Sequence, residues 1–408
     1  MKCGLLGRKL GHSYSPQIHS HLGNYSYSLF QLEPDELQSF LAKRDFAGLN
    51  VTIPYKKAVI PYLDELSPAA RKVGAVNTIV HRADGTLYGH NTDLYGFSSM
   101  VARSGLTVSG RKVLVLGSGG ASATAVGVLE DLGAHVIVVS RTGINNYENL
   151  YQHEDTSLIV NTTPVGMYPN NGESPTDLFH FPKLEGVLDL IYNPARTSLL
   201  QQAEKMGLIA ENGLWMLVAQ AKEAAEYFTG SAISDEIIET IHKQLSLQMQ
   251  NIILVGMPGS GKTTIGKLLA EKTGRQFIDA DAQIIEVSGK SIPDIFRLEG
   301  EDGFRQWETS VLKELGSKSA MVIATGGGCV TRRCNYPLLH QNGRIVWIQR
   351  NPDCLPREGR PLSQNADLMK MYQVRKPMYE AFADLHAENY VSAETTADSI
   401  LTMLEETI

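Results

Sequence analysis

The sequence predicts an α/β protein of several domains, and three observations predict it. The chain has 408 residues, which at roughly 150 residues per domain leaves room for two to three domains with separate cores. Two short β-branched runs, residues 112–116 (KVLVL) and 251–255 (NIILV), each open directly into a glycine-rich loop followed by a helical pattern. That succession starts a βαβ unit, in which helices cover the faces of a parallel sheet. The segment before Gly110 mixes short strands and helices around turn signals at Glu33-Pro34, Ser67-Pro68 and Asp84-Gly85, and reads as an α/β domain of its own.

Composition narrows the function classes. Hydrophobic residues make up 43% and charged residues 20%, as in soluble globular chains, while 37 glycines suit backbone that approaches phosphates. A net charge of -7 argues against nucleic-acid or anionic-membrane partners, which call for a basic face. Anionic ligands must therefore meet local basic residues. Cys3, Cys329, Cys334 and Cys354 show no CxxC or Cys/His metal spacing and read as reduced thiols. Arg8 and Lys9 interrupt the first residues where a signal peptide needs apolar sequence, and no apolar run reaches membrane-spanning length. The expectation is a soluble, cytoplasmic protein. Its oligomeric state is left open.

A helix is expected from Ser234, with Asp235 and Glu236 in its first turn and Ile233, Ile237, Ile238, Ile241 and Leu245 at helical spacing. Residues 246–250 then read as the spacer before the next strand, placing the boundary between the halves near 248.

In the C-terminal half, residues 256–263 match GxxxxGK[ST] in full, through Gly256, Gly261, Lys262 and Thr263. Loop N–H groups and the helix N-terminus would surround the β-phosphate of ATP. Lys262 would add charge toward the β and γ groups, and Thr263 would offer a hydroxyl to Mg²⁺. Residues 277–281 (FIDAD) supply Asp279 and Asp281, one able to hold hydrated Mg²⁺ and the other to accept the proton of an acceptor hydroxyl. Capping of the following helix is the competing use. The apolar run 321–324 leads into Gly326, Gly327 and Gly328, whose amides can approach a ligand closely.

FIDADAQI, EGEDGFRQWE, VIATGGGCV, GRPL and VRKPMYE follow the P-loop in that order, and the chain from 249 to 408 resembles shikimate kinase over nearly its whole length. The resemblance implies a P-loop, nucleoside-monophosphate-kinase-like domain that moves the ATP γ-phosphate to the 3-hydroxyl of shikimate. By position, Pro258, Gly259, Ser260, Gly261, Lys262, Thr263 and Thr264 would hold the nucleotide, with Thr263 and Asp279 serving Mg²⁺. Asp281 would be the base, with Lys262 and Arg360 stabilising the transferring charge. Arg305 and Arg375 would pair with the shikimate carboxylate, and Gly327 and Gly328 would touch the substrate. Arg forks suit that carboxylate, although a solvated helix face is the ordinary fate of an arginine such as Arg305. Arg357, in a lid shorter than usual (NPDCLPREGRPL), stands near the adenine-contact position.

In the N-terminal half, GSGGAS places Gly117, Gly119 and Ser122 at the three positions of a dinucleotide fingerprint, between KVLVL and a second strand, HVIVVSRT. Where NAD folds end that strand in an acid, this one ends Ser140-Arg141-Thr142, and an arginine there favours a 2′-phosphate, hence NADP. An exposed arginine at a strand end is the alternative. Upstream, GHSYSPQIHS contributes Ser13 and Ser15, the latter also a candidate N-cap. NVTIPYK contributes Asn50, Thr52 and Lys56, and AVNTIV with GHNTDLYGF adds Asn77, Asn91, Thr92 and Asp93. So many neutral hydrogen-bonding groups within apolar segments suggest a polyhydroxylated ligand, and a lysine paired with an aspartate can donate a proton to a carbonyl under reduction.

These segments, continued by IVNTTPVGM, LDLIYNPARTSLL and ENGLWMLVAQA, resemble shikimate dehydrogenase across most of 1–245. The resemblance implies a substrate domain over 1–100 completed by 215–245, a Rossmann NADP-binding domain over 101–214, and metal-free reduction of 3-dehydroshikimate to shikimate by NADPH. Lys56 and Asp93 would be the catalytic pair. Ser13, Ser15, Thr52, Asn77, Asn91, Tyr192 and Gln220 would bind substrate, and Gly117, Gly119, Gly120, Ala121, Arg141, Thr142, Thr162 and Met216 would bind cofactor. Two alternatives remain. One is a quinate-type dehydrogenase beside a related small-molecule kinase. The other is a nucleotide sensor that has lost its chemistry, against which Lys56, Asp93, Lys262 and Asp281 all stand.

Overall fold

A computed structural model describes residues 1–11, 13–355 and 368–407. The chain forms two compact units. The first comprises Met1–Gly166, Glu173–Tyr192 and Gln202–His242, and the second comprises Met167–Gly172, Asn193–Gln201 and Lys243–Ile408. Compactness follows packing and not chain order, so neither unit is a single contiguous stretch.

Two sheets form the first unit. Strands β1 (Lys2–Gly7), β2 (Ser26–Gln31), β3 (Gly48–Val51), β4 (Glu65–Leu66), β5 (Thr78–His81) and β6 (Leu87–His90) lie in the order β2-β1-β3-β5-β6-β4. This sheet is mixed: β5 runs antiparallel to β3 and β6, joined to β6 by the turn at Asp84-Gly85. Leu6, Leu49, Val51, Ile79 and Leu87 fill its core. Ser67-Pro68 proves to be a helix start, because the Ser67 side chain accepts from the Ala70 N–H and Pro68 takes the first helical position.

Strands β7 (Lys112–Leu116), β8 (His135–Val139), β9 (Leu158–Asn161), β10 (Gly186–Asp189) and β11 (Ile209–Asn212) form an all-parallel sheet ordered β11-β10-β9-β7-β8. The chain departs from β7 to β8 on one side and returns through β9 on the other. The carboxyl ends of β7 and β9 therefore flank the crevice where open parallel sheets bind nucleotides.

The second unit carries β12 (Asn251–Val255), β13 (Gln276–Asp279), β14 (Met321–Ala324), β15 (Gly343–Gln349) and β16 (Leu385–Glu388), all parallel in the order β13-β14-β12-β15-β16. Every residue of β12 and β14 is buried, as central strands covered on both faces require.

The expected spacer at 246–250 is instead the last turn of a helix, Glu236–Met249. Ile238, Ile241, Leu245 and Met249 are all buried, so the apolar stripe runs on through residues whose polar neighbours disguise it. The helix begins at Glu236, two residues after Ser234, and the division between units falls inside it, after His242 and not near 248.

Candidate active sites

In the first unit, the chain leaving β3 turns to present Lys56, and the helix Asp93–Ser104 presents Asp93 in its first turn. The Lys56 ammonium donates to Asp93 Oδ2 at 2.6 Å, with the side chains 32% and 15% exposed. Asn77 donates to Asp93 Oδ1 at 2.9 Å and to Thr92 Oγ1 at 3.0 Å. Gln220 Oε1 accepts from Thr92 at 3.3 Å and from Asn77 at 3.5 Å. Gln220 and Met216 lie on the helix Leu214–Thr229, which crosses the Asp93 helix at Gly96. A β-carbon on Gly96 would sit 2.8 Å from the Met216 carbonyl oxygen, so the missing side chain lets Gln220 reach Thr92.

Ser13 and Ser15 hydroxyls are 3.1 Å apart. Ser15 is the first residue of its helix and Tyr14 holds the cap position without a side-chain bond, so the N-cap reading of Ser15 does not hold. It is Ser13 Oγ that accepts the Ser15 N–H. Tyr192, half-buried, meets Tyr14 edge-on at 6.3 Å. Tyr27 ties the serine side to the lysine side: its hydroxyl donates to Asn50 Oδ1 at 2.7 Å, and Thr78 continues the network from Asn50 to Asn77. The Asn91 carboxamide donates to the Ala75 carbonyl and accepts the Asp93 N–H. At 1% exposure it holds Asp93 in place and offers no open face. Thr52 follows β3, with its methyl against Gly7.

On the parallel sheet, Gly117 leaves β7 with φ 110°, a conformation that favours glycine. A β-carbon there would meet Thr162 Oγ1 at 2.6 Å, whereas Gly119 and Gly120 face open space. Gly120 and Ala121 start the helix Gly120–Asp131, with Gly119 as N-cap. Its free N–H groups point to the mouth of the crevice, the arrangement that binds a pyrophosphate. Arg141 and Thr142 are exposed beyond β8. Bare backbone, an open helix terminus and a guanidinium at the far end make a cradle that fits NADP.

In the second unit, the loop after β12 wraps its own lysine. Lys262, 8% exposed, donates to the carbonyls of Gly256 and Met257 at 2.9 and 3.0 Å. Pro258, Gly259, Gly261, Thr263 and Thr264 face a cavity of about 1010 Å³, and Ser260 is buried beneath it. Asp279 takes the capping use: Oδ1 caps the helix Ala280–Ser288 through the Asp281 and Ala282 N–H groups, while Oδ2 accepts from Thr263 Oγ1 at 2.9 Å. A hydroxyl and a carboxylate oxygen side by side at the loop mouth fit a hydrated Mg²⁺. Asp281 lines the same cavity, together with Phe296, Phe304, Arg305, Glu308 and Arg375.

Arg305 is not on a solvated face. Only 4% exposed, it donates to Glu308 at 2.8 Å and Glu301 at 3.2 Å, and the bare α-carbon of Gly328 makes room for its guanidinium. Burial pushes the Glu308 carboxyl up to about 7, against the downward pull of Arg305, with Asp281 adding to the rise. Arg375 donates to the Gly327 carbonyl at 3.1 Å. Arg357 and Arg360 lie outside the described residues.

Comparison with known proteins decides the family. The shikimate dehydrogenase (NADP(+)) of Clostridium perfringens is 37% identical over 264 residues, spanning 59% of this chain and 97% of that protein. This chain belongs to the shikimate dehydrogenase family. Residues 5–79 match the family model described as the shikimate dehydrogenase substrate binding domain, and residues 258–405 match that of shikimate kinase. Shikimate dehydrogenase and shikimate kinase domains, both of the shikimate pathway, thus share one polypeptide. Among solved structures, a chorismate mutase/shikimate 5-dehydrogenase fusion protein from Clostridium acetobutylicum is 37% identical with a TM-score of 0.58, covering 60% of this chain and 96% of its own. Shikimate 5-dehydrogenase from Thermus thermophilus, in complex with NADP(H) and shikimate, is 31% identical with a TM-score of 0.53, covering 60% and 99%.

Several residues of the two sites carry no sequence signal of their own. Tyr27 acts only through partners brought in by the fold. Glu308 stands one helical turn after Arg305, and that spacing is the signal that could have paired them. Arg350 and Asn389 line a second cavity of about 320 Å³ with Gly261 and Thr264. Asn389 donates to the Ser260 carbonyl at 2.8 Å and Arg350 to that of Gly259 at 3.4 Å.

Proposed function

We propose that this chain catalyses two consecutive reactions: reduction of 3-dehydroshikimate to shikimate by NADPH, then phosphorylation of the shikimate 3-hydroxyl by ATP. The observation that carries the reading is the conjunction of a Lys56–Asp93 pair at 2.6 Å with a P-loop cavity that Asp281, Arg305 and Arg375 also line. In the first reaction, NADPH lying over Gly117, Gly119, Gly120, Ala121, Thr142, Thr162 and Met216 supplies the hydride. Lys56 gives its proton to the carbonyl oxygen, and Asp93 holds the ammonium in position. Ser13, Ser15, Thr52, Asn77 and Gln220 bind the hydroxyls and carboxylate, with Tyr192 closing the side.

In the second reaction, Thr263 and Asp279 hold Mg²⁺, which neutralises phosphate charge. Arg350 and Asn389 seat the adenine in the smaller cavity. Asp281 takes the hydroxyl proton, Arg305 and Arg375 clamp the acceptor carboxylate, and Lys262 with Arg360 meets the transferring charge. Reactants of this kind suit a cytoplasmic setting; among the described residues no helix is long and apolar enough to cross a membrane. One coupled assay tests the whole reading: 3-dehydroshikimate, NADPH and Mg·ATP with pure protein should yield shikimate 3-phosphate. Accumulation of shikimate alone, or preference for quinate in both halves, would defeat it.

Cofactor choice rests on the exposed Arg141. Loss of one charge-assisted contact to a 2′-phosphate, about 1.5 kcal/mol, corresponds to about tenfold in affinity. Arg141→Ala should therefore raise KM for NADPH about tenfold and leave KM for NADH unchanged. Equal use of both cofactors by the native protein would refute the assignment.

The kinase half should also respond to pH. The folded value of Glu308, about 7, lies above the ordinary carboxylate range, so the neutral form prevails below that pH and the ionised form above it. Ionised Glu308 competes with the acceptor carboxylate for Arg305, with Asp281, Arg375 and Glu301 the other charges around them. KM for shikimate should rise from pH 6 to pH 8 by up to about tenfold, and Glu308→Gln should flatten the profile. An unchanged slope in that variant would assign the titration elsewhere.

A further inference from the structure

The helix Leu368–Phe382 delivers two donors to one acceptor. Arg375 and Tyr379, one turn apart, both donate to the Gly327 carbonyl, at 3.1 and 2.5 Å. Tyr379 is fully buried, with its ring stacked on Trp347 at 5.6 Å and 17°. The peptide they hold is confined on both sides. A β-carbon on Gly327 would lie 2.6 Å from Pro258 Cδ of the P-loop, and one on Gly328 would lie 2.2 Å from the Arg305 guanidinium. A small shift of this peptide therefore displaces Arg305 or the nucleotide loop.

We infer that Tyr379 is a positioning residue for the acceptor: its hydroxyl keeps the Gly327 carbonyl satisfied when Arg375 turns to the acceptor carboxylate. The inference rests on the reading of Arg375 given above. Without that hydroxyl, Arg375 is the remaining side-chain donor to this half-buried carbonyl. Moving it to the acceptor then leaves an unsatisfied group, which weakens binding of the acceptor and leaves the chemical step alone.

Tyr379→Phe removes the hydroxyl and keeps the ring on Trp347. In steady-state kinase assays it should raise KM for shikimate about five- to twentyfold, with kcat and KM for ATP within about twofold of native. In an Arg375→Ala background, the same change should add little further to KM, because the arginine it releases is gone. An unaltered KM for shikimate, full additivity of the two substitutions, or a variant that no longer binds ATP would each overturn the inference. Failure of the native protein to phosphorylate shikimate would instead defeat the acceptor assignment itself.

Discussion

Lys56→Ala should cut NADPH oxidation by 3-dehydroshikimate about 10³- to 10⁴-fold, while phosphorylation of supplied shikimate continues at the native rate. Lys56 is the cationic side chain bonded to Asp93, and Asp93 is in turn fixed by Asn77 and by its own N–H to Asn91. Deleting the lysine removes the proposed proton donor and leaves Asp93 without its counter-charge, so water is a poor substitute. Because the effect is on proton delivery, kcat should carry most of the loss and KM for NADPH little of it. The kinase rate in the same sample reports that the protein is folded. A variant retaining a tenth of native reductase activity would mean that the proton comes from another group, and loss of both activities in folded protein would defeat the two-site reading.

How legible these sites were depended on whether a residue acts through its neighbours in sequence or in space. The strands 112–116, 251–255 and 321–324 coincide with β7, β12 and β14, because a strand buried on both faces must be an apolar run. The P-loop was legible for a similar reason, since its geometry is specified by consecutive residues. The helix end at Met249 was not, because a stripe of single apolar residues among Ser, Gln and Lys is hard to distinguish from a spacer. Arg305 reads as solvated from its charge, and only the cavity wall closing around it turns it and Glu308 into a buried pair. Nothing in the local sequence around Asn389 points to the P-loop. Yet a β-carbon on Gly261 would lie 2.4 Å from Asn389 Nδ2, a proximity that only the packing of β16 beside β15 creates.

Lys262→Ala should produce the reciprocal result, a fall of about 10²- to 10³-fold in the kinase rate with NADPH oxidation unchanged. Lys262 does two jobs in the loop. Its ammonium bonds to the Gly256 and Met257 carbonyls, so it closes the loop on itself, and as the proposed partner of the β and γ phosphates it meets charge that grows in the transition state. Alanine removes both, and the two effects are separable. Loss of loop closure should weaken ATP binding, seen as a raised KM for ATP, whereas loss of transition-state charge should lower kcat at saturating ATP. Lys262→Arg can still reach those carbonyls with a planar fork but presents a larger, differently shaped cation, so it should recover part of the ATP affinity and little of kcat. If the arginine variant instead restored kcat in full, a cation of any shape would suffice, and the geometric fit of the ammonium to the transferring phosphate would have no part in the rate.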